Sequence, residues 1–151
     1  MSTTYSFYFK ANDGKFYPLD SFGGGSAVAV GMSAQFGSNY AYEKRMPLMK
    51  ADLRQIISFE DDRVRAAEER IEGYRKRQKD IGSWNNSVEE KSQMVCDLDD
   101  AIDKEKCDLS YYKRAASFFE FLLGILDEAE LFSPYDEISI DVNNYLYWEV
   151  N

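Results

Sequence analysis

Two long stretches of the chain repeat apolar positions in alternating steps of four and three residues, the spacing of helices that pack along one seam. The first stretch has the seam positions Leu53, Ile57, Glu60, Val64, Ala67, Ile71, Tyr74, Gln78 and Ile81. The second has the seam positions Val88, Lys91, Val95, Leu98, Ile102, Glu105, Leu109, Tyr112, Ala116, Phe119, Leu123 and Leu126. Pro47 suits a first helical turn, Gly82 suits a helix end, and Ser87–Glu90 has capping-box spacing. The pattern predicts an antiparallel helical hairpin over 47–132.

The short loop Ser83–Ser87 predicts which residues of the two helices face each other. A turn centred on this loop places Val64 opposite Glu105, and Leu53 opposite Ala116. Each pair is an expectation about the register of the hairpin.

Glu60 and Glu105 are the two carboxylates that interrupt the seams. Arginines at 63 and 65 are near enough in the predicted register to pair with them. We therefore expect Glu60 and Glu105 to set the helix register and not to act as a pair of catalytic carboxylates.

Both ends of the chain alternate in the way that hairpin strands do. Asn12-Asp13-Gly14 separates two aromatic runs and predicts a hairpin over 1–22, whereas Asn143-Asn144 predicts a second hairpin over 136–151. A Gly-rich loop and a short helix capped by Ser26 are expected in 23–46. The predicted fold class is α+β in a single domain of 1–151: a long, coiled-coil-like helical hairpin packed on a small antiparallel sheet made of both terminal hairpins.

The face of the second helix opposite its seam changes character along its length. Its C-terminal part is aromatic and aliphatic, and we expect Phe118, Phe121 and Ile125 to be buried against the sheet. Its N-terminal part carries acids together with Cys96 and Cys107, and should face water. On one helix these cysteines are too far apart to form a disulfide.

The charge is unevenly distributed along the chain. The sequence has 27 acidic and 18 basic residues, a net charge of −9. Residues 1–40 are neutral, 41–80 carry +2 and 81–151 carry −11. Such a balance disfavours direct binding to nucleic acid or to an anionic membrane, even at the basic cluster Arg75–Arg77 and Lys79, and favours a partner with a basic surface.

Composition excludes several classes of site. The chain contains no His, which removes the commonest general base and metal ligand, and we expect no metal, no cofactor and no enzymatic activity. No apolar run is long enough to span a membrane, and the first residues have no signal-peptide pattern. Reduced cysteines and these absences favour a cytoplasmic protein, and leave the oligomeric state open.

The candidate partner-binding residues lie in the acidic part of the second helix and at the hairpin tip. They are Asp97, Asp99, Asp100, Asp103 and Trp84. An exposed Trp is a favoured binding anchor, unless its ring folds back over Ile81 and Val88. By composition alone, the sequence fits a small acidic inhibitor or adaptor that docks on a nucleic-acid-binding protein, as nucleic-acid mimics, phage anti-defence proteins and immunity proteins do.

The alternative is a protein that binds a small molecule or a nucleotide. Its candidate residues are Gly23, Gly24, Gly25 and Ser26. A glycine run before a helix N-terminus is suited to phosphate, but this one lacks the Gly-Lys-Ser/Thr of a P-loop and the third glycine of a dinucleotide fingerprint.

Overall fold

The computed structural model describes residues 2–37, 39–132 and 141–151, with the backbone alone described at 131 and 132. The strands are β1 (Thr4–Lys10), β2 (Phe16–Gly23), β3 (Met46–Pro47) and β4 (Leu146–Val150). The helices are α1 (Ala27–Phe36), α2 (Lys50–Ile81) and α3 (Val88–Phe132), and a 3-10 turn spans Val142–Asn144. This element order confirms the predicted α+β class, with two long helices that pack together and a sheet that joins both ends of the chain.

The first hairpin forms at Asn12-Asp13-Gly14, where Gly14 has a φ of 83° that a tight turn favours. β1 and β2 pair antiparallel from Thr4↔Gly23 to Lys10↔Phe16, with an irregularity opposite Pro18. Within the described residues the sheet order is β2-β1-β4-β3, so β2 is an edge strand. An edge position tolerates Pro18, which has no N–H to donate.

β4 pairs antiparallel with β1, from Tyr5↔Val150 to Phe9↔Leu146. The other neighbour of β4 is β3, in which Pro47 lies opposite Tyr147. The sequence had predicted Pro47 in the first turn of a helix, and this prediction is wrong. Pro47 belongs to a short strand, and α2 begins only at Lys50. The first arm of the predicted second hairpin spans 137–142, of which 137–140 lies outside the described residues. The rest of this arm is not a strand, because Asp141 caps a 3-10 turn over Val142–Asn144.

Local capping matches the prediction closely. The Ser26 hydroxyl accepts a hydrogen bond from the Ala29 N–H (3.1 Å) at the start of α1. The Ser87 hydroxyl accepts one from the Glu90 N–H (3.2 Å) at the start of α3. In both cases a short oxygen-bearing side chain satisfies a donor that the helix leaves open, and this requires only residues close in sequence.

The described residues form two compact units, and each is treated by itself below. Unit 1 holds the residues up to Glu60 and from Ala115 onward, and unit 2 holds Asp61–Arg114. Unit 1 contains the sheet, α1 and the adjoining parts of α2 and α3. Unit 2 consists of the remaining parts of α2 and α3 with the loop that joins them.

The core of unit 1 lies between the inner face of the sheet and the helices. Its largest fully buried side chains are Trp148, Phe7, Phe119, Met32, Leu48, Leu53, Ile56, Leu122, Leu126 and Leu146. The predicted contact of Phe118 with the sheet is confirmed, because its ring lies 5.0 Å from that of Phe7 and 4.6 Å from that of Phe22.

The predicted burial of Phe121 is wrong, because this side chain is 57% exposed. On a helix that turns about 100° per residue, Phe121 lies roughly 120° from the buried arc of Ala115, Leu122 and Leu126. The sheet covers α3 as far round as Phe118, and Phe121 lies beyond that edge.

Glu60 is a buried carboxylate in unit 1, where Gly31 of α1 lies close to α2. It is 0% exposed, and a Cβ atom added to Gly31 would lie 2.6 Å from its Oε1 atom. The same Cβ would lie 3.3 Å from side-chain atoms of Ile56 and Phe119. Gly31 is therefore the residue that allows α1 to pack this close to the core.

The register of the hairpin in unit 2 differs from the predicted one. Glu105 accepts two hydrogen bonds from the Arg70 guanidinium, at 2.9 and 3.1 Å, and does not lie opposite Val64. This bidentate pair raises the pKa of Arg70 above its usual value, chiefly through the hydrogen bonds. Arg65, one of the two arginines expected near Glu60 and Glu105, pairs with Asp62.

The residues near the loop also differ from the predicted hairpin. Trp84 lines a recess with Ile81 and Leu98. Val88, a predicted seam position, is 82% exposed. Val88 is therefore not part of the apolar seam between the helices, although the sequence pattern had predicted it to be.

Candidate functional site

The four predicted acidic residues lie on the exposed surface of α3 in unit 2, over one and a half turns of helix. Asp97, Asp99, Asp100 and Asp103 are all exposed. At about 100° per residue they spread over roughly 160° of the helix surface. The segment 92–103 contains these four acids and no Lys or Arg, so no basic residue interrupts the acidic segment.

Two of these carboxylates make local hydrogen bonds. Asp99 lies at the edge of the α2 contact and accepts a hydrogen bond from the Gln78 side chain (2.7 Å). Asp97 accepts one from the Gln93 side chain (2.8 Å), one turn earlier on α3. Both pairs orient a carboxylate without neutralising it.

The other two, Asp100 and Asp103, make no side-chain hydrogen bond or ion pair with any described residue. They lie on the outward side of α3, in the same stripe as the free thiols of Cys96 and Cys107, which are both exposed. Asp100 and Asp103 are thus the carboxylates of the acidic segment that are most available to a partner.

Trp84 is half-buried and belongs to a recess of about 200 Å³ in unit 2. The recess is lined by Arg77, Ile81, Trp84, Met94, Asp97 and Leu98. The Arg77 guanidinium lies 5.7 Å from the Trp84 ring centroid, within the range of a weak cation–π contact. The structure therefore brings Trp84 and Asp97 together, whereas Asp100 and Asp103 lie farther along the helix.

The balance of charge in unit 2 is closer to neutral than the sequence segments indicated. Residues 61–114 contain twelve basic and fourteen acidic residues, a net charge of −2. Arg75, Lys76 and Lys79 are exposed near the end of α2. Much of the acidic excess of the chain therefore belongs to unit 1, and the acidic surface of unit 2 is limited to α3.

The predicted glycine loop lies at one end of the sheet in unit 1 and borders a cavity of about 650 Å³. The cavity is lined by Ser2, Thr3, Tyr5, Gly23, Gly24, Gly25, Asn39, Tyr42 and Val150. Ser26, the fourth candidate of this group, is the N-cap of α1 and does not line the cavity.

The outer face of the sheet carries an aromatic and ionic cluster in unit 1. The Tyr8 hydroxyl donates to Glu149 (2.6 Å), and the Arg45 guanidinium lies 4.4 Å from the Tyr8 ring centroid. The hydrogen bond to Glu149, followed by burial, raises the pKa of Tyr8. Burial likewise raises the pKa of Tyr147. Since Arg45 also pairs with Glu149 at 3.6 Å, these groups satisfy one another and stabilise the sheet.

Among the described residues, no three side chains of the His, Cys, Asp and Glu types lie together in an arrangement that could hold a metal ion. No helix in the described part of the chain is both long and apolar enough to cross a membrane.

The sequence did not predict several of the residues that line the cavity beside the glycine loop or the recess at Trp84. Asn39 and Tyr42 reach the cavity from the loop that connects α1 to β3, far along the chain from the glycine loop. Met94 and Arg77 reach Trp84 from two different helices. The alternation of Tyr40, Ala41 and Tyr42 was the one available signal, and it does not indicate what the loop contacts.

Comparison with known proteins adds no identification: no protein family, no curated protein and no solved structure matches the chain at a significant level.

Proposed function

We propose that this protein is a non-enzymatic binding module that docks the acidic surface of α3 on a basic surface of another protein. The observation that carries the proposal is the pair Asp100 and Asp103, which are exposed and make no hydrogen bond or ion pair with any described residue. A carboxylate without an internal partner is free to meet a Lys or Arg of another molecule, and steers the encounter at low ionic strength.

The neighbouring residues support the same surface. Around the circumference of α3, Asp99 lies on one side of the Asp100 and Asp103 pair and Asp97 lies on the other. Both are oriented by glutamines, which leave their charges uncompensated. Trp84 lies at one end of this surface, beside Asp97, and offers an aromatic edge next to the charged stripe.

The kind of partner follows from the spacing of the charges. Carboxylates along one helix face repeat at intervals of several ångströms, comparable to phosphates along a nucleic-acid strand. We infer that the partner is a protein with a basic groove built for nucleic acid. Binding of the module blocks this groove. The module itself does not bind nucleic acid. We place the interaction in the cytoplasm, because two exposed thiols suit a reducing compartment.

The test is a charge reversal with a matched control. Asp100→Lys with Asp103→Lys reverses the proposed contact, and Glu69→Lys with Glu72→Lys makes the same change in net charge at the same spacing on α2. All four acids are exposed and on helices of unit 2, so we expect each pair of substitutions to change stability by less than about 1 kcal/mol. Circular dichroism and the thermal midpoint check that both variants fold.

Wild-type protein and both variants are used to capture proteins from a lysate of cells that express it, at low and at high salt. We expect the wild type and the Glu69/Glu72 variant to retain the same basic protein at low salt and release it at high salt. With that partner purified, the Asp100/Asp103 variant should associate at least tenfold more slowly. Equal loss in both variants would show that net charge matters and the α3 surface does not, and unchanged binding in both would contradict the proposal.

A further inference from the structure

The cavity at the end of the sheet in unit 1 shares no lining residue with the acidic surface of α3 and has a different chemistry. We propose that it binds an uncharged ring compound that carries hydroxyl groups, the chemistry that a pyranose sugar and a nucleoside share. Its volume of about 650 Å³ lies within the range of small-molecule sites in proteins, about 300–1,000 Å³.

Glycines keep the cavity open on one side. A Cβ atom added to Gly23 or Gly25 would have no described atom within 4 Å, so the space above both residues is empty. Gly24 has the opposite role, because its Cβ would come within 3.0 Å of the Thr3 Cβ. The Gly24 N–H donates to the Thr3 carbonyl (2.8 Å), which fastens the glycine loop to the start of β1.

Asn39 and Tyr42 form another part of the wall, and backbone hydrogen bonds hold the residues next to Tyr42 in place. The Val150 N–H donates to the Ala41 carbonyl (2.9 Å), and the Glu43 N–H donates to the Val150 carbonyl (2.8 Å). These two bonds flank Tyr42 and fix its position beside the end of β4. Tyr42 is 50% exposed and lines the cavity, so a ligand can reach its ring.

The backbone next to Tyr42 is strained, which is a second observation at the same place. Glu43 has a φ of 55°, a left-handed conformation that costs a non-glycine residue free energy. Surrounding contacts must hold such a conformation, and strained residues of this kind concentrate at ligand-binding loops. The wall of the cavity is therefore preorganised by tertiary contacts.

The lining determines the chemical class of the ligand. None of the described lining residues is charged, so an ionic group on the ligand would find no opposite charge among them. The polar groups are hydroxyls and one amide, which donate to and accept from the hydroxyl groups of a ligand: Ser2, Thr3, Tyr5, Asn39 and Tyr42. The half-exposed ring of Tyr42 offers an apolar face on which a ligand ring can stack, whereas the ring of Tyr5 is buried against Trp148.

The experiment is calorimetric titration of the full-length protein with glucose, galactose, adenosine, uridine, AMP and inorganic phosphate. We expect millimolar or tighter binding of at least one neutral compound, with AMP weaker than adenosine if the nucleosides bind. Sugar binding and nucleoside binding distinguish the two sources of this chemistry. Binding of AMP or phosphate alone would overturn the assignment to an uncharged ligand, and no binding of any neutral compound would overturn the site.

Two pairs of variants locate the binding. Gly25→Val fills the empty space and should weaken binding at least tenfold, whereas Gly82→Val, at the end of α2 in unit 2, should leave it unchanged. Tyr42→Ala should weaken binding by a similar factor, whereas Tyr111→Ala, which removes an equally exposed ring from α3, should not. Amide resonances of Gly23, Gly25 and Asn39 should shift on titration.

Equal binding by Gly25→Val, Tyr42→Ala and the wild type would place the ligand elsewhere and overturn the proposal. The Asp100/Asp103 charge reversal should leave this binding unchanged. The experiments therefore distinguish a failure of ligand binding in the cavity from a failure of the proposed docking through α3.

Discussion

At the residue scale, Phe119 and Phe121 show how two positions on one helix turn differ in consequence. Phe119 is 0% exposed and Phe121 is 57% exposed. We expect Phe119→Ala to lower the free energy of unfolding by about 3–5 kcal/mol, because it leaves a cavity in a packed core. Phe121→Ala should cost less than about 1 kcal/mol, since it removes a side chain that is mostly in water. Urea denaturation followed by circular dichroism measures both, and a cost for Phe121→Ala as large as that for Phe119→Ala would mean that this face of α3 is covered.

At the element scale, the hairpin is held in a register that the sequence pattern did not indicate. In a variant whose native cysteines are replaced by Ser, cysteines at 70 and 105 should be joined by a short bismaleimide several-fold faster than cysteines at 64 and 105. The reason is that residues 64 and 70 are about 9 Å apart along α2, while Glu105 lies beside Arg70. Peptide mapping after crosslinking identifies the pairs. Faster reaction of the 64–105 pair would restore the predicted register.

At the scale of the whole molecule, the two ends of the chain are joined in the sheet, and a side-chain bond reinforces the junction. The Tyr8 hydroxyl on β1 donates to Glu149 on β4 at 2.6 Å. Tyr8→Phe should therefore lower the free energy of unfolding at neutral pH by about 1–2 kcal/mol, the range for a hydrogen bond to a charged group that is partly exposed. Tyr17→Phe, which removes a hydroxyl from a 42% exposed ring, serves as the control and should change little.

The pH dependence of this bond has a definite sign. The folded protein raises the pKa of Tyr8 above 10.0, so it holds the phenolic proton more tightly than the unfolded chain does. The stability from this group is complete below pH 10 and is lost as pH rises through the raised pKa. The stability difference between the wild type and Tyr8→Phe should accordingly shrink in alkaline solution. A difference that stays constant or grows above pH 10 would contradict the assigned role of Glu149.

The sequence by itself determined what depends on neighbouring residues. The helical spans, the caps at Ser26 and Ser87 and the turn at Gly14 follow from periodicity and local hydrogen bonding. The fold class followed from these elements, because apolar seams and alternating strands must each bury a face. The acidic candidates on α3 were found in the same way, since their exposure depends on their position around one helix.

Only the tertiary structure decided what depends on distant contacts. Contacts between the helices, such as that of Arg70 with Glu105, show the helix register, and the sheet stops short of Phe121. Asn39 and Tyr42 line one cavity with the glycine loop, and backbone hydrogen bonds with Val150 of β4 hold the residues on both sides of Tyr42. Side-chain volumes and strand pairings across more than a hundred residues set these positions, and such pairings leave no periodic trace in the sequence.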